Sequence, residues 1–152
     1  MVCSAVAAAL ADRIRATWDA EARGGRPYVV FTGGEPLLQL EEVLVRACKD
    51  RGMEVAVETN GTQAIPAGVD WVCVSPKPRS TLVVHAGNEL KLVFPQDELP
   101  PDVFEGMAFD HFFLQPMDGP ERETNTARAV AWCRTRPQWR LSIQTHKLLG
   151  IP

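Results

Sequence analysis

The chain lacks the paired cysteines that mark a metal-binding protein. Its four cysteines are widely separated, form no CxxC pair and have no histidine at metal-ligand spacing: Cys3, Cys48, Cys73 and Cys133. This spacing argues against a complete metal site, so no metal ligand is assigned. Three of the four fall within helical or apolar patterns, which indicates buried free thiols. The pattern fits a reducing, cytoplasmic compartment.

The sequence also lacks an excess of positive charge and a long apolar run. Its 16 Lys and Arg residues face 19 Asp and Glu residues, whereas a nucleic-acid footprint is normally a clustered basic surface. The apolar stretch from Val2 to Leu10 is too short to span a membrane and has no basic n-region. We therefore expect no nucleic-acid partner and no membrane partner, but a small-molecule ligand.

What is present is the composition of a folded protein. The chain has 152 residues, of which 45% are hydrophobic and 23% charged, as in ordinary globular proteins. A chain of this length can bury a real core. We predict one domain that spans residues 1–152.

Apolar and β-branched runs predict six strands. They lie at Tyr28–Thr32, Glu54–Glu58, Trp71–Ser75, Glu89–Val93, His111–Gln115 and Arg140–Gln144. Helical spacing predicts later helices at Gln39–Arg51 and Glu121–Arg134, while the connections at residues 65–70 and 78–88 are short and irregular. This order predicts an α/β fold with a mostly parallel, incompletely wrapped sheet.

A first helix is predicted to follow Ser4, a residue type that often caps helix N-termini. Four apolar residues recur every four positions along it, which predicts an inward stripe. These residues are Val6, Leu10, Ile14 and Trp18.

Polar residues lie at the C-terminal ends of five of the six predicted strands. They are Thr32, the segment 58–62, the segment Ser75-Pro76-Lys77, the segment Gln115-Pro116-Met117-Asp118 and the segment 144–147. In parallel β/α folds every strand-to-helix loop emerges at the same edge, and ligands bind there. Each segment alone could be an ordinary turn, but five together indicate a ligand site.

The first of these strand ends carries the most informative segment, Thr32-Gly33-Gly34-Glu35-Pro36. Adjacent glycines let a backbone approach a ligand closely, and Pro36 stiffens the exit. The Glu35 carboxylate offers an acceptor to an amino group. A plain strand-to-helix turn is the alternative interpretation.

In this order, several segments resemble the 7-carboxy-7-deazaguanine synthase family of radical S-adenosylmethionine (SAM) enzymes. They are the Gly-Gly-Glu-Pro segment, Glu58-Thr59-Asn60-Gly61-Thr62, Val74 to Lys77, Glu89 to Val93, Leu114 to Gly119 and the ending Leu141 to Pro152 with its Gln-Thr-His-Lys run. The resemblance implies a partial β/α barrel of the radical SAM type. It also implies a lyase that converts 6-carboxy-5,6,7,8-tetrahydropterin to 7-carboxy-7-deazaguanine and ammonia in queuosine and 7-deazapurine biosynthesis.

The same resemblance implies cofactors and partners. A [4Fe-4S] cluster cleaves SAM reductively, the 5′-deoxyadenosyl radical abstracts a substrate hydrogen, and magnesium assists. Besides the pterin substrate, it implies a homodimer and an electron donor such as flavodoxin.

Carried over residue by residue, the resemblance implies two groups of binding residues. Gly34 and Glu35 would hold the methionyl amino group of SAM, and the remaining SAM-binding residues would be Ser75, Pro76, Lys77, Gln115, Pro116, Met117 and Asp118. Gln115 to Asp118 would meet the adenosine. Thr32 and the free carboxylate of Pro152 would contact the substrate.

The family's cluster-binding loop, three cysteines with a CxxC pair followed by a magnesium ligand, has no counterpart in the chain. Cys3 cannot supply the three thiolates of a [4Fe-4S] cluster, so we expect the chain alone not to perform the radical step. One hypothesis is therefore that the chain is the C-terminal part of such an enzyme.

Two alternatives stay open. The chain could be a non-catalytic remnant that binds SAM or the pterin. It could also be an unrelated α/β enzyme that uses Glu35, Glu58 or Asp118 as acid or base, although no convergent pair identifies them. No catalytic residue is assigned.

Overall fold

The computed structural model describes residues 3–22 and 24–151, and within them six strands form a single sheet. The strands are β1 (Tyr28–Phe31), β2 (Glu54–Thr59), β3 (Trp71–Val74), β4 (Ala86–Phe94), β5 (Ala108–Pro116) and β6 (Trp139–Leu141). Their order in the sheet is their order in the chain, and all five neighbouring pairs are parallel. β1 and β6 form the two edges, so the barrel is open, and the predicted fold class is confirmed.

In the described residues, four α-helices and two short 3-10 helices flank or connect the strands. The α-helices are α1 (Ser4–Glu21), α2 (Glu42–Lys49), α3 (Arg122–Thr135) and α4 (Thr145–Leu149), and the 3-10 helices lie at Pro36–Leu38 and Pro101–Phe104. The connections from β2 to β3 and from β3 to β4 contain no helix in the described structure, as their irregular sequences indicate. Helices therefore cover the sheet near its two edges, which leaves it incompletely wrapped.

The strand register separates the two faces of the sheet. Because parallel partners in register point the same way, Leu90 lies in one row with Val74 and Phe112, and all three are buried. The opposite face carries the row Glu58, Cys73, Glu89 and His111. The sheet therefore has an apolar face packed against helices and a second face with polar side chains.

The apolar face is packed as two clusters. The first is centred on β4, β5 and α3, with fully buried Leu90, Leu92 and Leu114. The second joins β1 and β2 to α1 and α2 through residues such as Val55, Val57 and Val45. Burial of these side chains supplies the main stabilisation of the sheet.

The predicted inward stripe of α1 is wrong at its first two positions. Val6 and Leu10 are 58% and 44% exposed, whereas Ala7 and Ala11 are fully buried against α2. A spacing of four residues drifts around a helix that turns every 3.6 residues, so the true stripe begins one position later. The small alanine side chains allow α1 to approach α2 closely.

Several boundaries also differ from the sequence patterns. The residue that caps α1 is Cys3 rather than Ser4. The helix predicted at Gln39–Arg51 is shorter, since α2 spans Glu42–Lys49, and a 3-10 turn precedes it at Pro36–Leu38. β4 and β5 each extend to nine residues. The sequence pattern missed the small and polar start of β4, Ala86-Gly87-Asn88, and the start of β5, where Asp110 interrupts the apolar run. The last predicted strand ends at Leu141, and α4 follows it.

Gly61 gives a test of the packing beneath the end of β2. Its φ is 78°, and a Cβ there would lie 2.5 Å from Leu82 Cδ1 and 2.8 Å from Val74 Cγ1. We expect Gly61→Ala to lower the free energy of unfolding by roughly 2–4 kcal/mol, from backbone strain and overpacking. Urea unfolding would measure it.

The matched control is Gly106→Ala, since a Cβ at Gly106 meets nothing within 4 Å. Its unfolding free energy should stay within about 0.5 kcal/mol of the parent. Equal stability of the two variants would contradict the close packing at Gly61.

Candidate functional site

The carboxyl ends of the strands surround a cleft of about 380 Å³. We call this space the cleft; it is lined by Thr32, Gly33, Gly34, Glu58, Thr59, Asn60, Ser75, Lys77, Lys91, Val93, Gln115 and Gln144. All five polar strand ends singled out in the sequence contribute to it. They meet because parallel strands end at one edge of the sheet.

The fourth strand also lines the cleft, which the strand-end pattern did not indicate. Lys91 and Val93 of β4 face it, in the rows of Phe113 and Gln115. The available signal was a charged residue, Lys91, within the otherwise apolar run Leu90 to Phe94.

Charges of both signs lie in the cleft. Lys91 Nζ donates to Glu58 Oε1 at 3.2 Å, and Lys77 Nζ donates to Ser75 Oγ at 3.1 Å. Burial, and then the Lys91 charge, lower the pKa of Lys77. Burial would also lower the pKa of Lys91, but Cys73 and Glu58 raise it above its ordinary value. The cleft therefore offers cations and hydrogen-bond donors to an anionic or zwitterionic ligand.

Glu35 lies in a position that its sequence context did not reveal. Its Oε1 accepts from Thr59 Oγ1 at 2.7 Å and from the Leu37 backbone N–H at 3.0 Å, and its Oε2 accepts from the Asn60 N–H at 2.8 Å. Among the described residues, those that line the cleft include Gly33 and Gly34 but not Glu35. The carboxylate thus ties the Gly-Gly turn to the end of β2.

The other predicted SAM-binding residues divide between two cavities. Ser75, Lys77 and Gln115 line the cleft, while Pro76 is buried beside it. Pro116 and Asp118 line a neighbouring cavity of about 170 Å³ between β5, α3 and α4.

Met117, directly after β5, is held by hydrogen bonds to β4 and α3. Its backbone N–H donates to Phe94 O at 2.7 Å, and its carbonyl accepts from Asn125 Nδ2 at 3.1 Å. The backbone of the segment from Gln115 to Asp118 is therefore held in place on both sides.

The segment at the start of α4 reaches both cavities. Gln144 lines each of them, and Lys147 forms an ion pair with Asp118. The hydrogen bond from Lys147 lowers the pKa of Asp118. Of the two predicted substrate contacts, Thr32 lines the cleft, and Pro152 lies outside the described residues.

The described residues contain no group of three or more His, Cys, Asp and Glu side chains able to hold a metal ion. Cys3 is exposed, Cys133 is partly buried, and Cys48 and Cys73 are buried free thiols. Burial raises the pKa of Cys73 to about 12. In the same residues, no helix has the length and apolar character needed to cross a membrane.

Fold and cleft together define an open, parallel β/α barrel with a ligand site at the carboxyl ends of its strands. Over 149 residues the chain is 60% identical to the 7-carboxy-7-deazaguanine synthase of Bordetella pertussis. The aligned region covers 96% of this chain and 69% of that protein. The chain is 58% identical over 147 residues to the protein of the same name from Bradyrhizobium diazoefficiens. That alignment covers 97% of this chain and 69% of the relative. The chain therefore belongs to the 7-carboxy-7-deazaguanine synthase family.

A solved structure agrees with this assignment. The crystal structure of QueE from Escherichia coli matches with a TM-score of 0.65 and 26% sequence identity, covering 88% of this chain and 63% of that one. No protein-family model matches the chain.

The reactivity of the thiols tests the burial of Cys73 in β3. We expect a disulfide reagent at pH 9 to modify Cys3 quickly and Cys73 only on unfolding, because a thiol with a pKa of about 12 is only about 0.1% ionised there. Mass spectrometry of timed samples would identify the modified residue. Rapid modification of Cys73 in the folded chain would contradict its burial.

Proposed function

We propose that this chain supplies the SAM- and pterin-binding part of a 7-carboxy-7-deazaguanine synthase. The reaction of that lyase converts 6-carboxy-5,6,7,8-tetrahydropterin to 7-carboxy-7-deazaguanine with loss of ammonia, on the route to queuosine and related 7-deazapurines. The observation that supports this proposal is the cleft, in which the family-matching strand ends meet.

We propose that the Gly33-Gly34 turn receives the methionyl end of SAM. A Cβ at Gly34 would meet nothing within 4 Å, so the backbone there is open to a ligand, and its carbonyl can accept from an ammonium group. Ser75, Pro76 and Lys77 complete this side. Glu35 belongs to the same turn and holds it against the end of β2.

The adenosine end is proposed to lie along the end of β5, where Gln115, Pro116, Met117 and Asp118 form the strand terminus. Polar groups at this strand end can pair with an adenine ring, and Gln115 lines the cleft. Asp118 acts there through its ion pair with Lys147, which holds α4 beside the strand end.

The pterin is proposed to bind between Thr32 and the chain's last residue, Pro152. The Lys91 ammonium group of the cleft suits the carboxylate that the pterin carries. The Glu58 carboxylate beside Lys91 can accept from ring N–H groups.

The described residues do not fit a [4Fe-4S] cluster, because they include no set of three thiolates at one place. They also include no magnesium site. We therefore assign the chain the binding of SAM and substrate and derive no radical step from its residues.

Further features of the whole enzyme are proposed with it. These are a cytoplasmic location, a homodimer, an electron donor such as flavodoxin and a magnesium ion. The chain itself is proposed to be one domain, residues 1–152, equivalent to the C-terminal part of the barrel.

A second candidate function is a non-catalytic protein that binds SAM or the pterin. It is favoured by the combination of a well-formed cleft with no described cluster ligands. Reading the coding sequence upstream of Met1 separates the two, since an in-frame three-cysteine loop supports the enzyme.

Gly34→Val tests the SAM site directly. Gly34 has room for a side chain and does not need a positive φ, so the variant should fold as the parent does while its side chain fills the ligand's space. We expect SAM affinity, measured by calorimetry on the iron-free chain, to fall at least about tenfold, or about 1.4 kcal/mol.

The control is Gly106→Val, which also has open space but lies outside the cleft. Its SAM affinity should equal that of the parent. If the parent chain binds no SAM at millimolar concentration, the proposed site is wrong.

A further inference from the structure

The hydrogen bonds of Glu35 hold the backbone of Asn60, the residue that follows Thr59. The carboxylate has about four acceptor sites, and three of them are taken by Leu37, Thr59 and Asn60. A carboxylate satisfied in this way stabilises the backbone that surrounds it. Its contact with the Asn60 N–H fixes the backbone at the start of the turn after β2.

The side chain of Asn60 is fixed at its oxygen. Asn60 Oδ1 accepts from the Thr62 backbone N–H at 2.9 Å, as in an Asx turn, and this bond identifies which amide atom is the oxygen. The remaining amide NH2 group makes no hydrogen bond within the described part of the chain. Because Asn60 lines the cleft, this NH2 group is a donor available to a ligand.

The groups near Asn60 define the chemistry of that ligand. Backbone acceptors of the Gly33-Gly34 turn suit an ammonium group, while the Asn60 amide, the Ser75 hydroxyl and the Lys77 ammonium are donors that suit a carboxylate. An α-amino acid carries both groups on adjacent carbons. This part of the cleft therefore matches a zwitterion such as the methionyl end of SAM.

We propose that Asn60 binds the methionyl carboxylate of SAM and that Glu35 is a positioning residue for Asn60, not a ligand of the methionyl ammonium group. The inference rests on the proposed function, because it needs SAM in the cleft. It gives a binding role to Asn60, to which the resemblance assigned none, and gives Glu35 a different role.

The test compares two ligands on the same iron-free chain. Decarboxylated SAM retains the adenosine, the sulfonium and the amine but has no carboxylate. Asn60→Asp retains an oxygen for the Thr62 N–H and replaces the NH2 donor by an acceptor. We expect it to weaken SAM binding at least about tenfold and to leave the affinity for decarboxylated SAM within about threefold.

Glu35→Gln separates positioning from direct binding. If Glu35 positions Asn60, this variant weakens SAM selectively, the double variant with Asn60→Asp is no weaker than Asn60→Asp alone, and amide hydrogen exchange at Asn60 accelerates without ligand. A direct contact with the ammonium would instead weaken both ligands, since both carry the amine, and would overturn the role proposed for Glu35.

Asn60→Ser is a second variant, which keeps a hydroxyl acceptor for Thr62 and should show the same selectivity if the aspartate variant is unstable. The control for loss of a carboxylate is Glu98→Gln. Glu98 forms an ion pair with Arg79 outside the cleft, so the affinities of this variant for both ligands should equal those of the parent.

Equal weakening of both ligands by the Asn60 variants, or no weakening, overturns this inference while the proposed SAM site stands. A parent chain that binds neither ligand overturns the proposed function and the inference with it.

Discussion

Parallel, in-register pairing of the six strands is the constraint on which the rest of the structure depends. It aligns residues such as Val74, Leu90 and Phe112 in buried rows, so that one face of the sheet carries the core. The same pairing places the carboxyl ends of all six strands at one end of the sheet. Side chains that are more than eighty residues apart in the chain, such as those of Thr32 and Gln115, therefore line a single cleft.

A second level of order comes from hydrogen bonds between neighbouring strand ends. The Glu35 carboxylate joins the turn after β1 to the end of β2, and the Thr59 carbonyl in turn accepts from the Ser75 N–H at 2.7 Å. Three consecutive strand ends are thus linked by buried or partly buried polar contacts. Such contacts stabilise one arrangement of a ligand site and leave nearby donors, including the Asn60 amide, available to a ligand.

Sequence identity establishes the family of this chain, whereas its described residues determine which parts of the site it supplies. Identity of 60% to a 7-carboxy-7-deazaguanine synthase over nearly the whole chain establishes the family. The described residues nevertheless include no cluster ligands, and buried Cys73, with a pKa of about 12, is poorly suited to act as a thiolate. The described residues of this chain therefore form the cleft at the strand ends but supply no cluster ligands.

By itself the sequence determined the α/β class, the six strands and the polar character of five strand ends, because these depend on local periodicity and turn chemistry. Only the tertiary structure showed that α1 buries Ala7 instead of Val6, and that Lys91 joins the cleft, since both follow from the neighbours of a residue. The contacts of Glu35 belong to the same class: its partners Thr59 and Asn60 lie more than twenty residues away, and no local pattern encodes such a contact.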